Sequence, residues 1–281
     1  MRRGAALPAP EPATASALSG ALRGLHFFGE CLAAVVNHFV EFRGASLTRR
    51  AQWSQRWGAR MARSLGVDIS TCGPIPRQGV IVANHLSYLD IVVLAATTPC
   101  VFVSKKEVAD WPVFGLLAKM AGTIFVDRAR RLAVGDAADH ITLALEAGAT
   151  VVIFPEGTSS DGREVLPFRA SLLESALRTG SPLQPAAIDY ALEEGSVENE
   201  VCYWGEMTLF PHLMNLCRKH RIEARLAFAP AVRTTASRKD LARELWRQVS
   251  ELKRGGNPVV TEYRPSEQRV ETVREVECLH A

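Results

Sequence analysis

Gly79-Val80-Ile81-Val82-Ala83-Asn84-His85-Leu86-Ser87-Tyr88-Leu89-Asp90 runs an apolar pentad into a polar turn and then toward a second apolar segment. A short β-branched run closed by turn-forming residues reads as a buried strand, and Ser87 suits the N-cap of a helix over Tyr88 to Ala96. Working outward, strand patterns recur at Cys100 to Ser104, Thr123 to Val126, Thr150 to Phe154, Leu183 to Ile188, Val201 to Trp204 and Ile222 to Phe228. Helical patterns lie between or beyond them at Pro112 to Lys119, Leu132 to Ala147, Phe168 to Arg178, Pro211 to His220 and Ser237 to Lys253. Strands alternating with helices of this length predict an α/β domain.

Upstream, two helices are expected. Between Thr14 and Phe42 the polar residues Arg23, Glu30, Asn37 and Glu41 fall on one stripe at helical spacing, with Leu25, Phe28, Leu32, Val35 and Phe39 opposite. A second helix, capped by Ser46 and ending near Leu65, lines up Arg49, Arg56, Arg60 and Arg63, flanked by Trp53 and Trp57. Arginine beside tryptophan suits the headgroup level of a lipid surface, while an ordinary surface helix with both tryptophans in the core is the alternative. The expected organisation is an extension over 1–13, membrane-associating helices over 14–65, a main domain over 66–254 and a weakly ordered tail over 255–281.

Composition narrows the function classes. With 47% hydrophobic and 22% charged residues and a net charge of +3, the chain predicts a sizeable core and no nucleic-acid partner. Positive charge concentrates in the first 68 residues, where nine arginines face four acids. The six cysteines form no CxxC pair or Cys/His cluster, so no zinc site is expected and a reducing compartment fits.

His85 and Asp90, five apart, would diverge by about 140° on a regular helix, so His85 must precede the helix. Asp90, near the first turn, can then fold back to an imidazole N–H and fix its tautomer, leaving the other ring nitrogen as a base. Ser87 and Asp90 taken alone read more readily as a capping box beside a satisfied loop histidine.

Asn84-His85-Leu86-Ser87-Tyr88-Leu89-Asp90 resembles the NHx4D block of the glycerolipid acyltransferases. Further blocks follow in that family's order: Lys105-Lys106-Glu107 through Trp111-Pro112-Val113-Phe114-Gly115 to Gly122-Thr123-Ile124-Phe125-Val126-Asp127-Arg128, then Phe154-Pro155-Glu156-Gly157-Thr158, then Leu183-Gln184-Pro185-Ala186-Ala187-Ile188. Tyr203 to His212 also resembles a stretch of bacterial members. The resemblance implies a mixed sheet flanked by helices, as in glycerol-3-phosphate acyltransferase, with His85 as general base and Asp90 as its orienting acid. It further implies acceptor binding by Glu156 and Gly157, with Thr158 beside them, and phosphate contacts from Arg128 and, more weakly, Lys106.

The expected reaction moves a fatty acyl group from acyl-ACP or acyl-CoA to the free hydroxyl of 1-acylglycerol-3-phosphate, without a metal or organic cofactor. Two departures bear on the acceptor. Ser159 stands where the family's third block has arginine, and Arg169 follows Phe168 where many members have lysine. Lyso-ornithine lipid is therefore the alternative acceptor. A lipid thioesterase is disfavoured because no GxSxG elbow is present. A non-catalytic lipid-binding protein is disfavoured by the intact His85 and Asp90. The expected setting is the cytoplasmic side of a bacterial inner membrane.

Overall fold

The computed structural model describes residues 17–127, 131–233 and 237–255. Helices α1 (Ala17–Asn37) and α2 (Leu47–Ser64) are followed by strands β1 (Val67–Cys72) and β2 (Gly79–Ala83). Next come α3 (Leu89–Thr97), β3 (Val101–Lys105), α4 (Phe114–Ala121), β4 (Ile124–Val126), α5 (Arg131–Glu146) and β5 (Thr150–Ile153). The chain continues through α6 (Glu174–Thr179), β6 (Leu183–Leu192), α7 (Val197–Glu200), α8 (Leu209–Arg218), β7 (Ile222–Phe228) and α9 (Arg238–Lys253).

The described strands form one seven-stranded sheet in the order β1-β7-β6-β2-β5-β3-β4. Neighbours pair in parallel except β6 and β7, so β6, β2, β5, β3 and β4 run one way and β1 and β7 the other. β2 lies between β5 and β6, with Val80 opposite both Val151 and Leu183. Its alternating residues serve two cores: Ile81 and Ala83 face the layer containing α1, α2, α3 and α8, whereas Val80 and Val82 face α5, α6 and α9. Burial on both faces explains why the central strands read as continuous apolar runs.

Three expectations need correction. Val67-Asp68-Ile69-Ser70-Thr71-Cys72, left out of the strand pattern, is the edge strand β1, with its half-polar alternation paired to β7 alone. Val201 to Trp204 is not a strand, because the Val201 and Cys202 amides both turn back to the Val197 carbonyl and close α7. Trp53 and Trp57 do not reach a headgroup layer: they are 2% and 7% exposed, inside the core shared with the sheet. The reading of α2 as an ordinary helix with tucked tryptophans therefore describes those two rings.

Helix α1 also faces inward on its polar side. Glu30 accepts from Arg60 at 2.6 and 3.1 Å, Asn37 Oδ1 accepts from the Trp57 indole at 3.1 Å, and an Arg23 guanidinium donates to the Lys219 carbonyl. Phe27, Cys31 and Ala34 fill the gap beneath. The opposite face is apolar and open, with Leu25 and Leu32 at 72% and 66% exposure, and it continues into the π-helical turn His38–Phe42, where Val40 is 77% exposed.

Candidate active site

The site forms at the carboxyl ends of β2, β5 and β6, where loops leave a parallel sheet and ligands commonly bind. After Ala83 the chain stops pairing as strand, and Asn84 takes over with its side chain. Its amide donates to the Ile188 carbonyl at 3.0 Å and accepts from the Ile188 amide at 2.7 Å, so a buried side chain replaces one rung of the ladder. That replacement frees His85 to turn out of the sheet.

His85 Nδ1 lies 2.8 Å from Asp90 Oδ2. The same oxygen accepts from the Leu86 and Ser87 amides at 2.7 and 3.0 Å, while Oδ1 accepts from the Tyr190 hydroxyl at 2.7 Å. Ser87 Oγ in turn accepts from the Leu89 amide at 3.3 Å. Helix capping and histidine orientation are thus one arrangement, because the carboxylate that receives the loop amides also receives the imidazole. An Asp oxygen that accepts leaves the proton on Nδ1 and bares Nε2. The ring stacks on Phe154, 4.2 Å between centroids and 16° between planes, which fixes its remaining freedom.

Glu156 supports this loop from below. Its Oε1 accepts the His85 amide at 3.0 Å, and Ser160 donates its amide to the His85 carbonyl at 3.0 Å. The Glu156 side chain is 3% exposed, and burial pushes its carboxyl up to about 8 against the pull of the His85 and Leu166 amides. At neutral pH it is held mostly as the neutral acid. Gly157 sits at φ +77°, a conformation glycine adopts without strain, and its amide closes a turn onto the Phe154 carbonyl at 3.1 Å.

A cleft of about 250 Å³ opens at His85, bounded on one side by Phe154, Gly157, Thr158 and Ser159 and on the other by Tyr88, Trp111, Tyr203 and Trp204. A second cavity of about 120 Å³ shares Tyr88, Ile91, Phe102, Ser104, Val108 and Trp111 with it and continues between α2 and α4, against Trp53, Met61 and Leu117. The far wall is stitched to the His85 loop. The Tyr203 amide donates to the Leu86 carbonyl at 2.8 Å, and Ser159 Oγ donates to the Tyr203 carbonyl. His212 Nε2 meets the Cys202 carbonyl at 3.0 Å and so carries the proton, which makes its Nδ1 the acceptor for the Tyr88 hydroxyl at 2.9 Å. Burial pulls the His212 pKa down, in keeping with this neutral form.

His85, Gly157 and Thr158 thus meet at the cleft with Asp90 directly behind, whereas Glu156 lies beneath the loop outside the lining. Lys106 is exposed and paired with Asp127 at 3.3 Å, and Arg169 is exposed with its amide on the Pro155 carbonyl at 2.9 Å; neither lines the cleft. Arg128 lies outside the described residues. Lys105, Tyr88 and Tyr190 were missed as site residues. The first lines the cleft one residue from the lysine the sequence pointed to, and the tyrosines are indistinguishable in sequence from core aromatics.

Against known proteins, the Acyltransferase family model matches residues 67–189. A lyso-ornithine lipid O-acyltransferase of Brucella abortus is 38% identical over 209 residues, spanning 68% of this chain and 78% of that protein. The chain belongs to the acyltransferase family. Within it, a 1-acyl-sn-glycerol-3-phosphate acyltransferase of Neisseria gonorrhoeae is 36% identical over 49% of this chain and 54% of its own. The crystal structure of the 1-acyl-sn-glycerophosphate acyltransferase of Thermotoga maritima superposes with a TM-score of 0.63 at 22% identity, covering 85% of this chain and 96% of that one, so the fold is shared. The acyltransferase has no described helix long and apolar enough to cross a membrane.

Proposed function

We propose that the protein transfers a fatty acyl group from a thioester to the hydroxyl of a lysolipid at a membrane surface, with lyso-ornithine lipid as the preferred acceptor. The observation that carries the reaction is the His85 to Asp90 pair at 2.8 Å on the lip of the cleft. Nε2 of His85 takes the acceptor's hydroxyl proton as its oxygen bonds to the thioester carbonyl carbon. The tetrahedral intermediate collapses by breaking the C–S bond, and the imidazolium returns the proton to the departing thiolate. Asp90 stabilises the transient imidazolium. A carrier-protein or CoA thioester serves this attack equally, since the thiolate leaves readily and positioning supplies much of the acceleration. Thr158 and Gly157 border the acceptor in this reading, while Glu156 acts through the His85 amide.

Two observations favour the ornithine-bearing acceptor, whose headgroup has a carboxylate and an ammonium but no phosphate. The arginine position of the third block is Ser159, whose hydroxyl is engaged by the Tyr203 carbonyl. The Brucella relative is also matched over 78% of its length, against 54% for the Neisseria one. Lysophosphatidate remains the second reading, supported by the latter relative and by Arg128, the one phosphate-contact candidate whose position is not described. Lys106 and Arg169 stand outside the cleft and are assigned to neither headgroup.

Membrane association rests on α1 and the π-helical turn that extends it. Leu22, Leu25, Leu32, Val36, Phe39 and Val40 are each more than half exposed, and the arginines of α2 lie alongside, Arg49 and Arg56 over the Phe42 ring at 5.3 and 5.6 Å. Such a face lies in a bilayer interface with cations beside anionic headgroups, which would suit the cytoplasmic leaflet of a bacterial inner membrane. The test supplies acyl-CoA or acyl-ACP with lyso-ornithine lipid or lysophosphatidate, and follows thiol release and acylated lipid. Acylated ornithine lipid, at a kcat/KM at least about tenfold above that for lysophosphatidate, is expected, a difference of roughly 1.4 kcal/mol. Thiol release without acylated lipid would make the protein a thioesterase instead.

A further inference from the structure

Tyr190 sits where no motif points. On β6 the pleat puts Ala186, Ile188 and Tyr190 on the face that meets α3, and all three join the same core as Leu89 and Leu94. β6 outruns β2, which ends at Ala83 opposite Ala186. The Asn84 side chain covers the rung at Ile188, and the next residue on that face, two further along, is Tyr190. Its ring is 6% exposed, and its hydroxyl donates to Asp90 Oδ1 at 2.7 Å. Burial and the neighbouring carboxylate hold the phenol well above its usual pKa, so it remains a donor.

The two Asp90 oxygens are served asymmetrically. Oδ2 has the imidazole and two loop amides, all belonging to residues 85–87, whereas Oδ1 has the single hydroxyl from a different strand. The three donors on Oδ2 come from one short loop and move with it. The bond to Oδ1 ties the carboxylate plane to the sheet, and so sets the direction in which Oδ2 presents itself to Nδ1. A tyrosine that merely needed a partner for a buried hydroxyl would be content with a backbone carbonyl. This one instead spends its only donor on the acid that orients the base.

We propose that Tyr190 is a positioning residue for acyl transfer, extending the pair into a His85-Asp90-Tyr190 chain that anchors the catalytic loop to β6. The inference rests on the acyltransferase reading above. Its mechanism is indirect: Tyr190 touches neither substrate, and acts by limiting rotation of Asp90 and sharing its charge.

Tyr190→Phe removes one oxygen from a buried ring and leaves its packing shape in place. The test compares the wild type, Y190F, D90N and the double variant, each first checked for wild-type circular dichroism. Y190F is expected to lower kcat about tenfold with KM within about twofold. In the D90N background the same change is expected to alter kcat by less than about twofold, because the group it acts through has already been altered. Equal fractional losses in both backgrounds, or no loss in the first, would overturn the role.

A second readout does not depend on turnover. The imidazole resonances of His85, assigned by comparison with His85→Gln, should shift between wild type and Y190F, since the acceptor on Nδ1–H has changed its own hydrogen bonding. Unmoved resonances refute the positioning role whether or not transfer is detected. A wild type that transfers nothing while the resonances shift would leave the chain standing and remove the assigned reaction.

Discussion

The His85 loop and helix α1 each break the ordinary rule of polar outside and apolar inside, in opposite directions. At the loop, Asn84, Ser87 and Asp90 are buried, and they are tolerated because donors and acceptors are arranged around them, while buried Glu156 has the His85 amide on Oε1 and no described partner on Oε2. At α1, Glu30 and Asn37 turn inward to α2 while leucines and valines stay in the open. Burying polar groups is stable only with partners, and partners fix geometry, which is what a base needs. Exposing apolar side chains needs only a second apolar phase, which is what a lipid surface supplies. In the proposed function, the contrast separates a region suited to directional chemistry from one suited to non-directional adhesion.

The comparison breaks hardest at His85. His85→Ala should lower acyl transfer by about a thousandfold or more, the range expected for removing a general base, while circular dichroism and vesicle binding stay at wild-type levels. Retained turnover would make the buried polar network purely structural.

Between the two regions lies the shared core, and Trp53→Ala tests whether α2 belongs to it. With Trp53 2% exposed, we expect destabilisation of about 3–5 kcal/mol in denaturant unfolding. A loss below about 1 kcal/mol would make the two helices an appendage.

On the adhesive side, replacing Leu25, Leu32 and Val40 together by Ser should reduce partition onto anionic vesicles by well over tenfold, since each large apolar side chain contributes roughly 1.5–3 kcal/mol when buried. Thermal stability and transfer to detergent-dispersed acceptor should be little changed, because these side chains are exposed and contribute little to the core. Equal vesicle binding would remove the membrane reading of α1.

A pH-dependent effect concerns Glu156. Its folded pKa of about 8 lies above the unfolded value, so the folded state holds a proton that the unfolded state releases. Stability from this group is full below about pH 4.5 and lost as pH rises to about 8, after which it levels off. Glu156→Gln should flatten that slope across the window, read as the melting temperature against pH. An unchanged slope would mean the carboxyl is not held neutral by burial.

The central strands were legible because burial on both faces leaves a continuous β-branched run, as in Gly79 to Ala83. Edge strand β1, with only one neighbour, keeps polar residues at alternate positions and gives no such signal. Val201 to Trp204 misled for the converse reason, as Val201 and Cys202 fill the core while Tyr203 and Trp204 line the cleft, none of them joining a ladder. Periodicity found both faces of α1, yet a stripe has no label saying which side meets the protein. Glu156 and Lys106 were picked out by the resemblance to the family's blocks. Only packing put one beneath the loop and the other on Asp127 at the surface.

By itself, then, the sequence determined the α/β pattern, the pairing of a pre-helical histidine with an acid in the first turn, and the amphipathic character of α1, because each depends on spacing within one segment. Tertiary structure alone decided that Tyr190 reaches Asp90, that Tyr203 closes the cleft over Leu86 and that the polar stripe of α1 points inward. These contacts join residues far apart in the chain, and their energies come from desolvation and partner geometry that exist only once the layers have packed.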